Sequence, residues 1–259
     1  MPELPDLEVF AANLDKQFKG KVLKEIDVTV TRKLNVEVPE LKKKLEGHKL
    51  SSVSRNGKSL LLDFGKDRML GLHLMLHGEL QMKEEGKEPR FPIIGFDFTD
   101  GSGFFMTDFQ KAATPTLNPV ISEVPDAFTM SKEAFLELLA GKKTEIKSIL
   151  LDQKFIRGIG NAYADEILWE ARIYPFSPAK AIPAKNAEKL YEAMQRVLKN
   201  AIAEIRKANP DQLSGELRDF MNIHHSKKTE SPTGARIQTR KVGGRTTYFT
   251  EEQERFGLS

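Results

Sequence analysis

Apolar and polar positions change period partway along this chain. Near the start, Pro5 can open a helix with Asp6 and Glu8 in its first turn, where acids suit the helix dipole. Leu7, Phe10, Ala11, Leu14 and Phe18 then fall on one helical face. After Gly20 the texture becomes that of strands. Val22 to Val30 alternates, and short apolar runs follow at 50–54, 59–64, 69–74, 93–98 and 104–107. Asn56-Gly57, Gly65, Gly78, Gly86 and Asp100-Gly101 punctuate them as turns. Many short strands with frequent turn signals predict a sandwich or barrel-like unit, ending between Ala113 and Phe128.

From Ser131 onward the period is helical. Phe135, Leu136 and Leu139 predict a short helix ending at Gly141, and Ile146, Ile149 and Leu150 predict another. A glycine-bearing turn leads into a helix over 162–171. The clearest stripe is Leu190, Tyr191, Met194, Val197, Leu198, Ile202 and Ile205, within a helix from Ala187 to Lys207 that Asn209-Pro210 ends. It is a core stripe. The segment 237–249 reads as a β-hairpin turning at Val242-Gly243-Gly244-Arg245. The expectation is an α+β chain of three parts: 1–120, 121–222 and 223–259.

Composition narrows the class. The 259 residues are 39% hydrophobic and 30% charged, as in soluble globular proteins. No apolar run approaches the ~20 residues a membrane span needs, and the start carries no secretory pattern. The chain has no cysteine, which excludes disulfides and thiolate metal sites and fits a reducing compartment. A net charge of +3 decides nothing, but its distribution does more. Lys227, Lys228, Arg236, Arg240, Lys241 and Arg245 crowd the stretch after His224, opposed only by Glu230. Such a patch is either a solvated face or a phosphate-binding surface.

Two short segments carry candidate chemistry. Met1-Pro2-Glu3-Leu4-Pro5 becomes a terminal secondary amine beside a carboxylate once Met1 is removed. A free α-amine has a pKa near ~8, so part of it is neutral and nucleophilic toward an aldehyde carbon. The plainer reading is a proline that starts a helix. In the second segment, Gly158-Ile159-Gly160-Asn161 lies between two helices, where backbone N–H groups and a helix N-terminus suit an anion. Asn161 could donate to a phosphate or simply cap the helix.

Pro2-Glu3-Leu4-Pro5, Gly57-Lys58 entering a Leu-Leu-Leu strand, Gly158 to Ala164, and Gly244-Arg245 in a C-terminal hairpin occur in order. Together they resemble the formamidopyrimidine-DNA glycosylase / endonuclease VIII family over nearly the whole chain. The resemblance implies an N-terminal helix plus β-sandwich domain, a helix-two-turn-helix domain and a β-hairpin finger. It implies a bifunctional glycosylase and AP lyase that excises oxidised or ring-opened bases. Pro2 would be the Schiff-base nucleophile and Glu3 the assisting carboxylate. Lys58 would sit near the lesion phosphates, and Asn161 and Arg245 would pinch the backbone around a flipped nucleotide. The catalytic candidates are therefore Pro2, Glu3, Lys58 and Arg245. The DNA-binding candidates are Leu76, Lys111, Lys147, Asn161, Lys241 and Arg245.

The chain also departs from that family. Counting outward from Arg245, the positions of the usual four zinc cysteines are Glu230, Thr233, Thr250 and Gln253, so a zincless finger without cofactor is expected. Ile237, Val242, Tyr248 and Phe249 are its candidate packing residues. Leu76 stands where the family often has a methionine wedge. Lys111 and Ala112 occupy places where arginine and phenylalanine are expected, leaving Phe109 or Gln110 to support an orphaned base. Asp6 replaces a usual glutamate. Little chain lies between Met221 and the basic stretch, so a long lid over an oxidised purine is not expected. This leans toward pyrimidine, ring-opened or hydantoin lesions and abasic sites. The partner implied is double-stranded DNA with damaged bases or abasic sites, bound by a monomer that is cytoplasmic, nucleoid-associated in a bacterium or nuclear in a eukaryote. A non-catalytic binder of such DNA is the alternative, and an RNA-binding module a third.

Overall fold

The computed structural model describes residues 1–242 and 244–257, with the backbone alone at Val242. Gly243, and the packing expected of the Val242 side chain, lie outside the described residues. The chain divides into two compact units, 1–121 with 205–216, and 122–204 with 217–257.

The first unit begins with α1 (Leu4–Phe18), whose expected apolar face is buried throughout. Two antiparallel four-stranded sheets follow. One has the order β1 (Leu23–Val28), β6 (Pro92–Phe98), β7 (Gly103–Thr107), β5 (Glu79–Met82). The other runs β2 (Ser52–Asn56), β3 (Ser59–Asp63), β4 (Met69–His73), β8 (Thr114–Leu117). Ile26, Phe96, Phe104 and Leu80 from the first sheet share one core with Leu60, Leu62, Leu70 and Leu72 from the second. Phe18 of α1 stacks at 4.8 Å on Phe98, and Phe96 at 4.6 Å on Phe104. In β3, Leu60, Leu61 and Leu62 are all buried, and α1 packs on the β2–β3 pair.

Three elements escaped the pattern. The helix α2 (Val38–Leu45) buries only Leu41 and Leu45 and begins with a proline in its first turn. Strand β5 is four residues long. Strand β8 contains Pro115, which reads as a breaker but is tolerated because β8 is an edge strand. Residues 205–216 join this unit through Leu213 in its core and Asn13 Nδ2, which donates to the Gln212 carbonyl at 2.8 Å.

The second unit holds α3 (Lys132–Ala140), α4 (Ile146–Leu151), α5 (Asn161–Glu170), most of α6 (Ala184–Ala208) and the hairpin β9 (Gln238–Val242)–β10 (Arg245–Phe249). Ser131 caps α3 by accepting from the Ala134 N–H at 3.1 Å. The hairpin packs Ile237 and Tyr248 with Trp169 and Ile223, and sets Phe249 edge-on to Tyr174 and Phe176. No helix among the described residues is long and apolar enough to cross a membrane.

Candidate active site

At the head of α1, Pro2 and Glu3 are both buried. Glu3 is the N-cap, and Asp6 reaches back to accept its backbone N–H at 2.9 Å in a reciprocal capping box. The short Asp6 side chain thus fixes the backbone that carries Pro2 and Glu3. The Met1 ammonium pairs with Glu216. While Met1 remains, the Pro2 nitrogen is an amide. A cleft of about 1220 Å³ opens here, lined by Met1, Pro2, Leu76, His77, Arg90, Phe91, Asp108, Phe109 and 214–216.

Lys58 is tied to the same helix through Arg55. Asn56 pairs with Ser59, so Gly57-Lys58 is a two-residue hairpin loop, and Gly57 takes the left-handed φ of 58° that favours glycine. The Arg55 guanidinium donates to Glu8 of α1 at 2.8 Å and to the Gly57 carbonyl at 2.9 Å. One side chain therefore links the head of α1 to the loop bearing Lys58. Burial first, and the Lys58 charge second, hold the His73 imidazole below its ordinary pKa. His73 Nδ1 accepts from the Met75 N–H at 3.0 Å, which anchors the loop that presents Leu76.

Among charged neighbours such as Glu79, Lys87 and Arg90, this cleft also carries exposed apolar side chains. Leu76 and Phe109 are each 55% exposed, and Phe109 lies 4.7 Å from His77 between ring centroids. The loop carrying Phe109 is wound about the Asp108 carboxylate, which accepts from the N–H groups of Gln110, Ala112 and Ala113. Lys111 is exposed with φ 54°, and its carbonyl accepts from Arg32 at 2.9 Å.

In the second unit the glycine turn is organised by Gln153. Its Oε1 accepts from the Gly158 N–H and its Nε2 donates to the Ile159 carbonyl, each at 2.9 Å. Gly158 sits at φ 101°, where a side chain would be strained. Gly160 is the N-cap of α5, so the capping role considered for Asn161 falls to its neighbour. Asn161 Nδ2 instead donates to the Thr246 carbonyl of β10 at 2.9 Å.

Lys147, expected at the DNA surface, is only 5% exposed. Its ammonium lies 2.6 Å from Asp165 and donates to Thr247 Oγ1 at 2.7 Å. Asp165 is fully buried, and its other oxygen accepts from the Tyr248 N–H at 3.0 Å and faces His224 Nδ1 at 2.7 Å. A carboxylate only accepts, so that ring nitrogen carries the proton. Asn161, Lys147 and Asp165 thus fasten three consecutive residues of β10. Sequence pattern gave Lys147 as a surface contact because the carboxylate that lets it be buried, Asp165, comes from a different helix. Glu166 similarly accepts from the N–H groups of Asn222, Ile223 and His224, each at 2.8 Å.

Arg245 begins β10 and is exposed, and Lys241 is exposed on β9 opposite Thr246. Asn161, Lys147 and Arg245 line one depression of about 280 Å³, with Glu145 and Asp152 also on its walls. Pro2, Glu3, Lys58, Leu76 and Lys111 belong to the first unit; Lys147, Asn161, Lys241 and Arg245 belong to the second. Residue pattern missed Arg55, Gln153, Asp165 and Glu166. The one available signal was an Asp-Glu pair inside an otherwise apolar helix.

Comparisons with known proteins agree with this architecture. Residues 1–114 match the formamidopyrimidine-DNA glycosylase N-terminal domain and residues 121–210 its H2TH domain. A formamidopyrimidine-DNA glycosylase of Ligilactobacillus salivarius is 30% identical over 275 residues, covering 96% of this chain and 97% of that protein. The Streptococcus pneumoniae enzyme is 29% identical, covering 98% and 99%. The solved structure of the Lactococcus lactis enzyme bound non-covalently to AP-site DNA superposes with a TM-score of 0.86 at 25% identity, covering 98% of this chain and 100% of that one. This chain belongs to the formamidopyrimidine-DNA glycosylase family.

Proposed function

We propose that this protein is a bifunctional DNA glycosylase and AP lyase of base excision repair, acting on duplex DNA through an imine at Pro2. The observation that carries the reading is the placement of Pro2, on a backbone fixed by the Glu3–Asp6 capping box, at a large cleft that exposed Leu76 and Phe109 also line. Removal of Met1 converts the Pro2 amide into a secondary amine. Its lone pair attacks the sugar C1′ of a flipped nucleotide, a C1′–N bond forms, and the base departs with the glycosidic electron pair. The nitrogen gives up its proton, the C1′–O4′ bond breaks with O4′ taking a proton, and the resulting C1′=N iminium ion acidifies the C2′ proton. Loss of that proton expels the 3′ phosphate, and a second elimination releases the 5′ phosphate. Glu3 is the candidate for proton transfer during ring opening. Lys58, tethered by Arg55, supplies positive charge near phosphate.

Asn161, Arg245 and Lys241 are proposed to hold the DNA backbone, and Lys147 to brace the hairpin that carries Arg245. Extrusion of a nucleotide costs a few kcal/mol, which phosphate contacts and apolar wedges offset. Leu76 and Phe109 are the wedge candidates, since both present apolar surface to solvent. The short path from Met221 to the basic hairpin supports ring-opened, hydantoin or pyrimidine lesions and abasic sites as substrates. A cytoplasmic, monomeric enzyme completes the reading.

The test is borohydride trapping on an abasic duplex, with intact mass used to establish loss of Met1. The processed protein is expected to become covalently linked and to cut the strand, and Pro2→Gly to bind without either. Processed protein that binds but neither cuts nor crosslinks supports the alternative, a non-catalytic holder of damaged DNA. The Lys111-Ala112 departure in the rim loop favours that alternative.

A further inference from the structure

The family resemblance brings a zinc site that this chain does not furnish. Its four positions are Glu230, Thr233, Thr250 and Gln253, and no group of His, Cys, Asp or Glu among the described residues is arranged to hold a metal ion. Three of these positions, Thr233, Thr250 and Gln253, are engaged in another way. The Glu252 carboxylate accepts from Thr233 Oγ1 at 2.6 Å, Thr250 Oγ1 at 3.1 Å, Ser231 Oγ at 3.2 Å and Trp169 Nε1 at 3.3 Å. Arg172 completes its surroundings, with Nη1 at 2.9 Å and the guanidinium stacked 4.8 Å from the Trp169 ring. Beside it, Gln253 accepts from the Thr250 N–H and donates to the Ile173 carbonyl, both at 2.8 Å.

Three stretches of chain converge on this one carboxylate. Ser231 and Thr233 precede β9, Thr250 follows β10, and Trp169 and Arg172 lie at the C-terminal end of α5. A four-thiolate zinc site likewise ties the chain before a hairpin to the chain after it. We infer that the Glu252 clasp does the work of the missing metal, holding both feet of the β9–β10 hairpin to α5. Glu252 is then a positioning residue for Arg245, which begins β10. Burial opposes the charged form, yet hydrogen bonds from Thr233, Trp169 and Thr250, and the Arg172 charge, bring the Glu252 pKa down to about 2. The carboxylate is therefore ionised under all physiological conditions. The consequence for DNA binding rests on the proposed function; the clasp itself does not.

The experiment uses the full chain with Glu252→Ala, Glu252→Gln and the milder pair Thr233→Val and Thr250→Val. Trp169 is the only tryptophan, so its emission reports the clasp directly. Glu252→Ala is expected to shift that emission and to speed amide exchange at Thr246 to Phe249 by about tenfold, with Glu252→Gln intermediate. Affinity for an abasic-analogue duplex should fall by about tenfold. Excess EDTA should alter none of these readouts in the parent protein. Unchanged exchange and emission in all variants, or a hairpin that EDTA loosens and zinc restores, would overturn the inference. Emission and exchange need no DNA, so they stand even if the protein proves not to be a lyase. If Glu252→Ala does not fold, the threonine pair gives the same reading.

Discussion

The two units support their candidate groups by different physics. In the first, Pro2, Glu3 and Lys58 ride on elements seated over apolar side chains from α1 and two sheets. In the second, the hairpin bearing Arg245 packs Tyr248 and Phe249 on apolar neighbours and is fastened besides by polar contacts, Lys147–Asp165 and the Glu252 clasp. An apolar core tolerates change in proportion to the volume removed. A buried ion pair does not, because deleting one member strands the other's charge. The difference gives Pro2 and Glu3 an apolar platform and makes the placement of the hairpin depend on a few polar side chains.

The largest expected effect follows from this contrast. Asp165→Ala should cost about 3–5 kcal/mol, since it leaves the Lys147 ammonium buried without its counter-charge. Urea unfolding, with amide exchange at residues 246–248, checks it; a loss under about 1 kcal/mol would mean that water or relaxation replaces the carboxylate. In the sandwich, Leu62→Ala should cost about 2–5 kcal/mol through transfer and cavity terms, and should leave hairpin exchange unchanged. Faster exchange in β10 from that variant would erase the distinction between the units. Smallest in stability is Arg245→Ala, an exposed site with little expected change in melting temperature. Its effect belongs to binding, where the slope of log affinity against log salt should fall by about 0.9 for one lost phosphate contact.

Legibility followed the reach of each interaction. The face of α1, the strand runs and the α6 stripe were readable because periodicity and turn residues act over a few positions. Strand β8 was not, because Pro115 is acceptable only at an edge, and sheet order decides which strand is an edge. Among the candidate groups, Pro2 and Glu3 were legible from the chain's start, while Arg55 was an ordinary charged strand residue until Glu8 and the Gly57 carbonyl were found beside it. Asn161 was placed at the helix start but its partner, Thr246, lies 85 residues away.

The succession of helical and strand texture, the lack of any thiolate for zinc and the imino acid in second position can all be read from the chain alone. Folding, by contrast, made Lys147 a buried brace and brought Thr233 and Thr250, two of the four residues in the zinc positions, onto Glu252. The reason is physical: a charge's role depends on its burial and on the atoms facing it, and both are set by segments far apart in the chain.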